Sequence, residues 1–191
     1  KTSNVKKMKN IAQHILDITQ NAIRAKANIV EIYIHHSEKE NLLELIIKDN
    51  GEGMNQHMVD RVTDPYTTTR NTRKVGMGIP LLKQNAEAAG GSFAISSAEK
   101  QGTMVQATFQ LNHLDRPPLG DLTDTITGLA AGNADADFII TFITDQGEYI
   151  FNTREVKEIL EDTPIYDSQV VKYLKEMLAE NIEAQCSLKV S

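Results

Sequence analysis

The stretch DNGEGM, residues Asp49–Met54, stands directly after the apolar run Leu42-Leu43-Glu44-Leu45-Ile46-Ile47. Asn-Gly after such a run is a strong hairpin signal, because both residues tolerate positive φ. On that reading Asp49 is only a turn residue. A two-residue turn has no use for the second glycine, Gly53, which suggests backbone that something else approaches closely. A calcium loop does not fit, since the alternating acids and the late glutamate of that motif are missing. The choice between a turn and a binding loop rests on the rest of the chain.

Working outward, the apolar run reads as a strand, Leu42 to Lys48, paired through a polar turn with Asn28 to His36, where Val30, Ile32 and Ile34 alternate with Ile29, Glu31, Tyr33 and His35. Before them, Val5, Met8, Ile11, Ile15, Ile18, Ala22 and Ala25 recur at spacings of three and four. That stripe predicts a helix from about Ser3 to Ala27, capped by Ser3 or Asn4. After DNGEGM come a short helix (residues 56–62), an aperiodic segment from Thr63 to Val75, and a helix from Met77 to Ala89 ended by Gly90-Gly91. Ser92 to Ala98 and Thr103 to Leu111 alternate as two strands turning near Gly102. The order helix, two strands, loop, helix, two strands predicts an α/β two-layer sandwich: a mixed sheet with helices on one face.

The chain has 191 residues, 40% hydrophobic, a net charge of −6 and one cysteine, Cys186. That supports a real core, excludes an internal disulfide, and fits a reducing cytoplasm. No apolar run is long enough to span a bilayer and no secretory signal is visible, so a membrane role is not expected. The acidic balance argues against nucleic acid as the main partner. Residues 1–112 carry 14 Lys/Arg and 11 Asp/Glu, while residues 113–191 carry 6 and 15. The change of sign falls near His113-Leu114-Asp115-Arg116-Pro117-Pro118, a linker by its double proline. Two units follow: 1–112, and an acidic α/β extension over 113–191. The extension reads as a helix over Asp121–Ala131, a hairpin of Phe138–Thr144 with Glu148–Phe151, a helix over Thr153–Leu160 and another over Asp167–Ile182.

Three further stretches carry chemistry. Asp17 and Asn21 are four residues apart and share a helix face beside the apolar stripe. They form either a structural hydrogen-bonded pair or a working one, with Asn21 holding Mg²⁺ through its amide oxygen and Asp17 taking a proton from water or a hydroxyl. Magnesium needs few protein ligands when phosphate oxygens complete its shell. Val75-Gly76-Met77-Gly78-Ile79-Pro80 opens a helix after a basic, threonine-rich loop, so backbone N–H groups and the helix dipole favour an anion there. Gly102-Thr103 is a hairpin turn on its own account.

Together these stretches resemble the GHKL ATPases: gyrase, heat-shock chaperone, histidine kinase and MutL. Asp17 through Asn21 looks like the N box and Asp49 through Gly53 the G1 box. Asp64-Pro65-Tyr66-Thr67-Thr68-Thr69-Arg70 is similar to the kinase F box, Gly76 through Leu82 with Gly90-Gly91-Ser92 to the G2 box, and Gly102-Thr103 to the last box. The resemblance covers roughly residues 10–111 and implies a Bergerat fold that binds ATP with Mg²⁺. It implies that Asp49 accepts a hydrogen bond from the adenine amino group, a sound pairing of an acceptor with a donor. It implies that Gly51, Gly53 and Met54 lie close to the base and that Thr103 supports Asp49 through water. It implies that Asn21 holds the metal and that residues 64–75 form a lid. Thr69, Arg70, Gly76, Met77, Gly78 and Ile79 would then line the nucleotide.

Departures from the family bound the activity. Asp17 stands where hydrolysing and serine-kinase members carry Glu, which favours hydrolysis or transfer to a hydroxyl. No phosphoacceptor histidine in a helical hairpin is visible: His14 lies in the first helix and reads as structural or at a solvent edge, and His35, His36, His57 and His113 have no metal-ligand company. Two functions are expected from this. One is ATP hydrolysis or γ-phosphoryl transfer to a protein, a kinase or transferase activity of the histidine-kinase-like or serine-kinase-like type. The other is an ATP-dependent switch with little turnover, with residues 113–191 docking a protein partner or a second copy.

Overall fold

The computed structural model describes residues 10–63 and 78–187. The apolar run that leads into DNGEGM is a strand, β2 (Leu42–Asp49), antiparallel to β1 (Ile29–Ser37). Alternation sets its register: Val30, Ile32 and Ile34 face the same side as their partners Asp49, Ile47 and Leu45. That side is buried, while Glu31 and Lys48 on the opposite side form an ion pair at 2.9 Å. The remaining elements are α1 (Ile11–Arg24), α2 (Gln56–Thr63), α3 (Gly78–Ala88), β3 (Phe93–Ala98), β4 (Gly102–Gln110), α4 (Leu122–Gly132), β5 (Asp137–Thr144), β6 (Glu148–Asn152), α5 (Thr153–Leu160) and α6 (Ser168–Cys186).

All six strands form one sheet in the order β3-β4-β2-β1-β5-β6. Only β1 and β5 run parallel, so the sheet is mixed, as the order of elements predicts. The helices α1, α3, α4 and α6 bury its inner face with Ile15 and Ile18, Leu82, Leu122 and Leu129, and Leu178. Phe138, Ile140 and Phe142 of β5 stand level with Val30, Ile32 and Ile34 and join the same cluster. Burying each such side chain is worth roughly 1.5–3 kcal/mol. The change in charge near residue 113 therefore falls inside one hydrophobic core, and the acidic segment supplies two strands of the sheet that also carries DNGEGM.

Three sequence expectations shift. The first helix starts at Ile11, not near Ser3: Asn10 is extended (φ −153°) and its side chain accepts from the Gln13 N–H at 2.9 Å. Ser3, Asn4, Val5 and Met8 lie outside the described residues. The double proline does not act as a free linker. The Pro118 and Leu119 carbonyls accept from the N–H groups of Ile11 and Ala12, both at 2.9 Å, satisfying donors that a helix start leaves open. Finally, α6 continues past Ile182 to Cys186, which is buried one turn further along the same stripe.

Candidate functional site

The end of β2 places Asp49 on the inner face of the sheet, with Thr103 opposite it on β4 and Ser97 beyond that on β3. The three therefore lie in a row across the strand ends. Asp49 Oδ1 accepts from the Gly51 N–H at 2.8 Å. Burial pushes the Asp49 carboxyl above the ordinary range, while the backbone N–H groups of Gly51 and Thr103 pull it back. The result is a half-buried acceptor with capacity left for an outside donor. The Thr103 hydroxyl is taken by Ser97 Oγ at 2.9 Å, and Ser97 Oγ also accepts from the Met54 N–H at 2.8 Å. Thr103 thus supports Asp49 through its backbone. Ser97, which the sequence reading passed over, ties the DNGEGM loop to the strand; its only sequence signal is its register opposite Thr103.

The glycines of the loop answer to the chain itself. Gly53 sits at φ +65°, and a Cβ there would run into the Ala98 carbonyl. A Cβ on Gly51 would meet the Ala25 carbonyl at 2.7 Å. The close approach that the second glycine signals is by neighbouring backbone, which sets the loop's shape and so the aim of Asp49. Met54 is half-buried against the core. Asn50 turns away from Asp49, and its Nδ2 donates to Asn28 Oδ1.

Opposite this row, α1 presents His14, Asp17 and Asn21 along one face, toward the start of α3. Gly78, the first residue of α3, packs directly on Asp17: any Cβ there would overlap the Asp17 carboxylate. Asn21 Nδ2 donates to Asp17 Oδ2 at 3.4 Å, a long bond, and Asn21 Oδ1 accepts from Arg24 Nη1 at 2.9 Å. His14 is fully buried rather than at a solvent edge. Asn85 Nδ2 lies 2.9 Å from its Nε2, bracing α3 against α1. Burial lowers the His14 pKa to about 4, with the Gly78 backbone beside the ring opposing the shift. Nδ1 makes no full hydrogen bond, and neither does the buried Thr19 hydroxyl on the same helix. Ile79 points into the core, 5% exposed.

The site thus brings Asp49, Thr103 and the glycine loop to the end of the sheet, and Asp17, Asn21 and Gly78 to the α1–α3 contact. Thr69, Arg70, Gly76 and Met77, with Arg73 and Lys74, lie outside the described residues. Among the described residues no three His, Cys, Asp or Glu side chains gather as a metal cage. The donors present still fit magnesium, which takes one or two hard oxygens from the protein and the rest from phosphate and water. Asn21 Oδ1 is a hard oxygen of that kind, and it accepts one hydrogen bond, from Arg24.

Comparison with known proteins bears on the family and the fold. The model of the histidine kinase-, DNA gyrase B-, and HSP90-like ATPases matches residues 7–113. Sporulation kinase D of Bacillus subtilis is 28% identical over 105 residues, 54% of this chain and 20% of that protein. A sensor histidine kinase of the same bacterium is 30% identical over 99 residues, 48% of this chain and 30% of that protein. The matched stretch therefore represents less than a third of either relative. Among solved structures, the N-terminal domain of a DNA repair protein superposes with a TM-score of 0.53 at 16% identity, covering 76% of this chain and 52% of that one. That likeness is one of fold. No helix among the described residues is long and apolar enough to cross a membrane.

Proposed function

Since the chain belongs to the histidine kinase-, DNA gyrase B-, and HSP90-like ATPase family, we propose that it binds Mg-ATP between the end of the sheet and the α1–α3 contact, and that the γ-phosphate is released to water or passed to a protein hydroxyl or imidazole. The observation that carries this reading is the placement of the half-buried Asp49 carboxyl, on the inner face at the end of β2, with spare acceptor capacity. A carboxylate accepts and the adenine amino group donates, so Asp49 selects adenine over a base that presents a carbonyl there. On the α1 side, Asn21 Oδ1 would hold Mg²⁺. The ion would spread the charge of the phosphate oxygens. Asp17 would orient the attacking hydroxyl or water and take its proton at Oδ2. Gly78 leaves that carboxylate room at the start of α3, where helix N–H groups favour an anion.

The test follows labelled γ-phosphate on the purified chain. Asp17→Asn is expected to cut phosphate release or transfer at least a hundredfold while leaving ATP affinity within a few-fold. Asp49→Ala is expected to abolish measurable ATP binding. Unchanged ATP affinity in Asp49→Ala sinks the adenine pocket; wild-type turnover in Asp17→Asn sinks the role of Asp17 alone.

One observation favours the switch as a second reading. Arg24 donates to the Asn21 oxygen that would hold the metal, and a guanidinium beside that oxygen opposes an incoming cation by charge. Nucleotide binding would thereby be tied to a rearrangement at the end of α1. Sedimentation and partner binding that are identical with ATP and ADP would count against this reading.

A further inference from the structure

Asn50, the residue after Asp49, is held from behind at both ends of its amide. Its Oδ1 accepts from the backbone N–H groups of Asn28 and Ile29, both at 3.0 Å, and its Nδ2 donates to Asn28 Oδ1 at 2.6 Å. Asn28 is anchored in turn, because its carbonyl accepts from the Asp137 N–H at 2.8 Å. Asp137 opens β5, and α5 grips it. Arg154 donates twice to Asp137 Oδ2, from Nε at 3.0 Å and Nη2 at 2.9 Å, and Lys157 Nζ donates to Oδ1 at 3.0 Å. Lys157 also donates to the Ala136 carbonyl at 2.7 Å, and the Thr153 hydroxyl accepts from the Phe138 N–H at 2.8 Å. An unbroken series of contacts thus runs from the first turn of α5, through the start of β5 and Asn28, to the residue bonded to Asp49.

We propose that Asn28 is a positioning residue that fixes the aim of the Asp49 carboxylate at the adenine amino group, and that Arg154 and Lys157 extend this control to the C-terminal segment. The inference rests on the reading of Asp49 as the adenine acceptor. Its logic is geometric. A hydrogen bond weakens steeply as its angle closes, so an acceptor on the last residue of a strand depends on how the chain leaves that strand. Gly51 and Gly53 seat the far part of the loop against the Ala25 and Ala98 carbonyls, and the Asn50–Asn28 pair fixes the residue that joins that part to Asp49. Base selectivity then depends on residues that do not contact the base, among them Arg154 and Lys157 of the C-terminal segment.

The experiment measures dissociation constants of ATP and ITP for the full chain. Inosine replaces the amino donor with a carbonyl and makes N1 a donor, so the ATP-over-ITP ratio reports how the base edge facing Asp49 is read while phosphate contacts cancel. Wild type is expected to favour ATP. Asn28→Ala is expected to shrink that preference roughly fivefold, the worth of one ordinary hydrogen bond. Asn28→Asp keeps an acceptor for Asn50 Nδ2 and is expected to restore it. Arg154→Ala changes an exposed side chain, keeps the test free of folding failure, and is expected to lower the ratio about twofold. If wild type binds ATP and ITP alike, the adenine reading falls and the inference with it. If wild type prefers ATP while Asn28→Ala and Arg154→Ala keep the full ratio, with both affinities lowered together, Asn28 is merely structural; the inference alone is overturned.

Discussion

Burial acts in opposite senses on two titratable side chains of the site. It raises the Asp49 carboxyl and lowers the His14 imidazole. For Asp49 the consequence is a pH-dependent affinity. If Asp49 is the proposed adenine acceptor, its ionised form is the better one, and ATP affinity is expected to fall as pH drops through a value above the usual aspartate range. Titration calorimetry across that range measures it, and Asp49→Asn should flatten the profile. For His14 the consequence is stability. The unfolded imidazole takes a proton near 6.5 and the folded one only near 4. Between these values the unfolded chain binds more protons, so stability is fully present above the upper value and is lost as pH falls toward the lower. The full span amounts to roughly 3 kcal/mol. Urea unfolding at several pH values should show this slope in wild type and its loss in His14→Leu; a wild type with no steeper acid dependence than the variant would contradict the buried neutral histidine.

At the scale of elements, the joints between segments matter more than the segments. The buried Thr153 hydroxyl accepts from the Phe138 N–H, joining α5 to β5. Thr153→Val keeps the shape and leaves that N–H without a partner, at a cost of about 1–3 kcal/mol. A fall of several degrees in melting temperature is expected. Thermal denaturation by circular dichroism decides it, and an unchanged midpoint would show that water replaces the hydroxyl. Periodicity alone revealed that these helices and strands exist, and it placed most of their ends within a residue or two. It misplaced the start of α1 because Ser3, Asn4 and Asn10 are all competent caps, and the apolar stripe runs on through Val5 and Met8. What selects Asn10 is a pair of carbonyls from Pro118 and Leu119, about a hundred residues away, which no local pattern encodes. Asp17, Asn21, Asp49 and Thr103 could be singled out in the sequence from the order of the motifs and the family these resemble. Ser97, Asn28 and the His14–Asn85 brace were not, since each works by meeting a residue distant in sequence.

For the whole molecule, the pairing of β5 with β1 makes one core of the basic and acidic halves. The sequence marks the halves by charge, and charge is a property of surfaces. The parallel register of β1 with β5 depends on the inner faces, where Phe138, Ile140 and Phe142 continue the rows of Val30, Ile32 and Ile34. A chain ending at Asn112 loses those side chains together with the α4 and α6 contributions. Each is worth roughly 1.5–3 kcal/mol, so the total exceeds the 5–15 kcal/mol margin of a typical domain. The truncated chain is expected to lose cooperative unfolding and to bind no nucleotide. A sharp two-state melt from it would show that residues 1–112 fold alone.

The position of β1, flanked by β2 on one side and β5 on the other, also sets an order of local opening. Its amides are bonded within a sheet that must come apart before they meet solvent, whereas β3 and β6 have free edges. In deuterium exchange the edges should label early and β1 late, near the rate of global unfolding. Asp49 is paired to Val30 of that strand. The proposed adenine acceptor is therefore built on the slowest-opening part of the molecule, and fluctuations that peel away the rim would leave it in place.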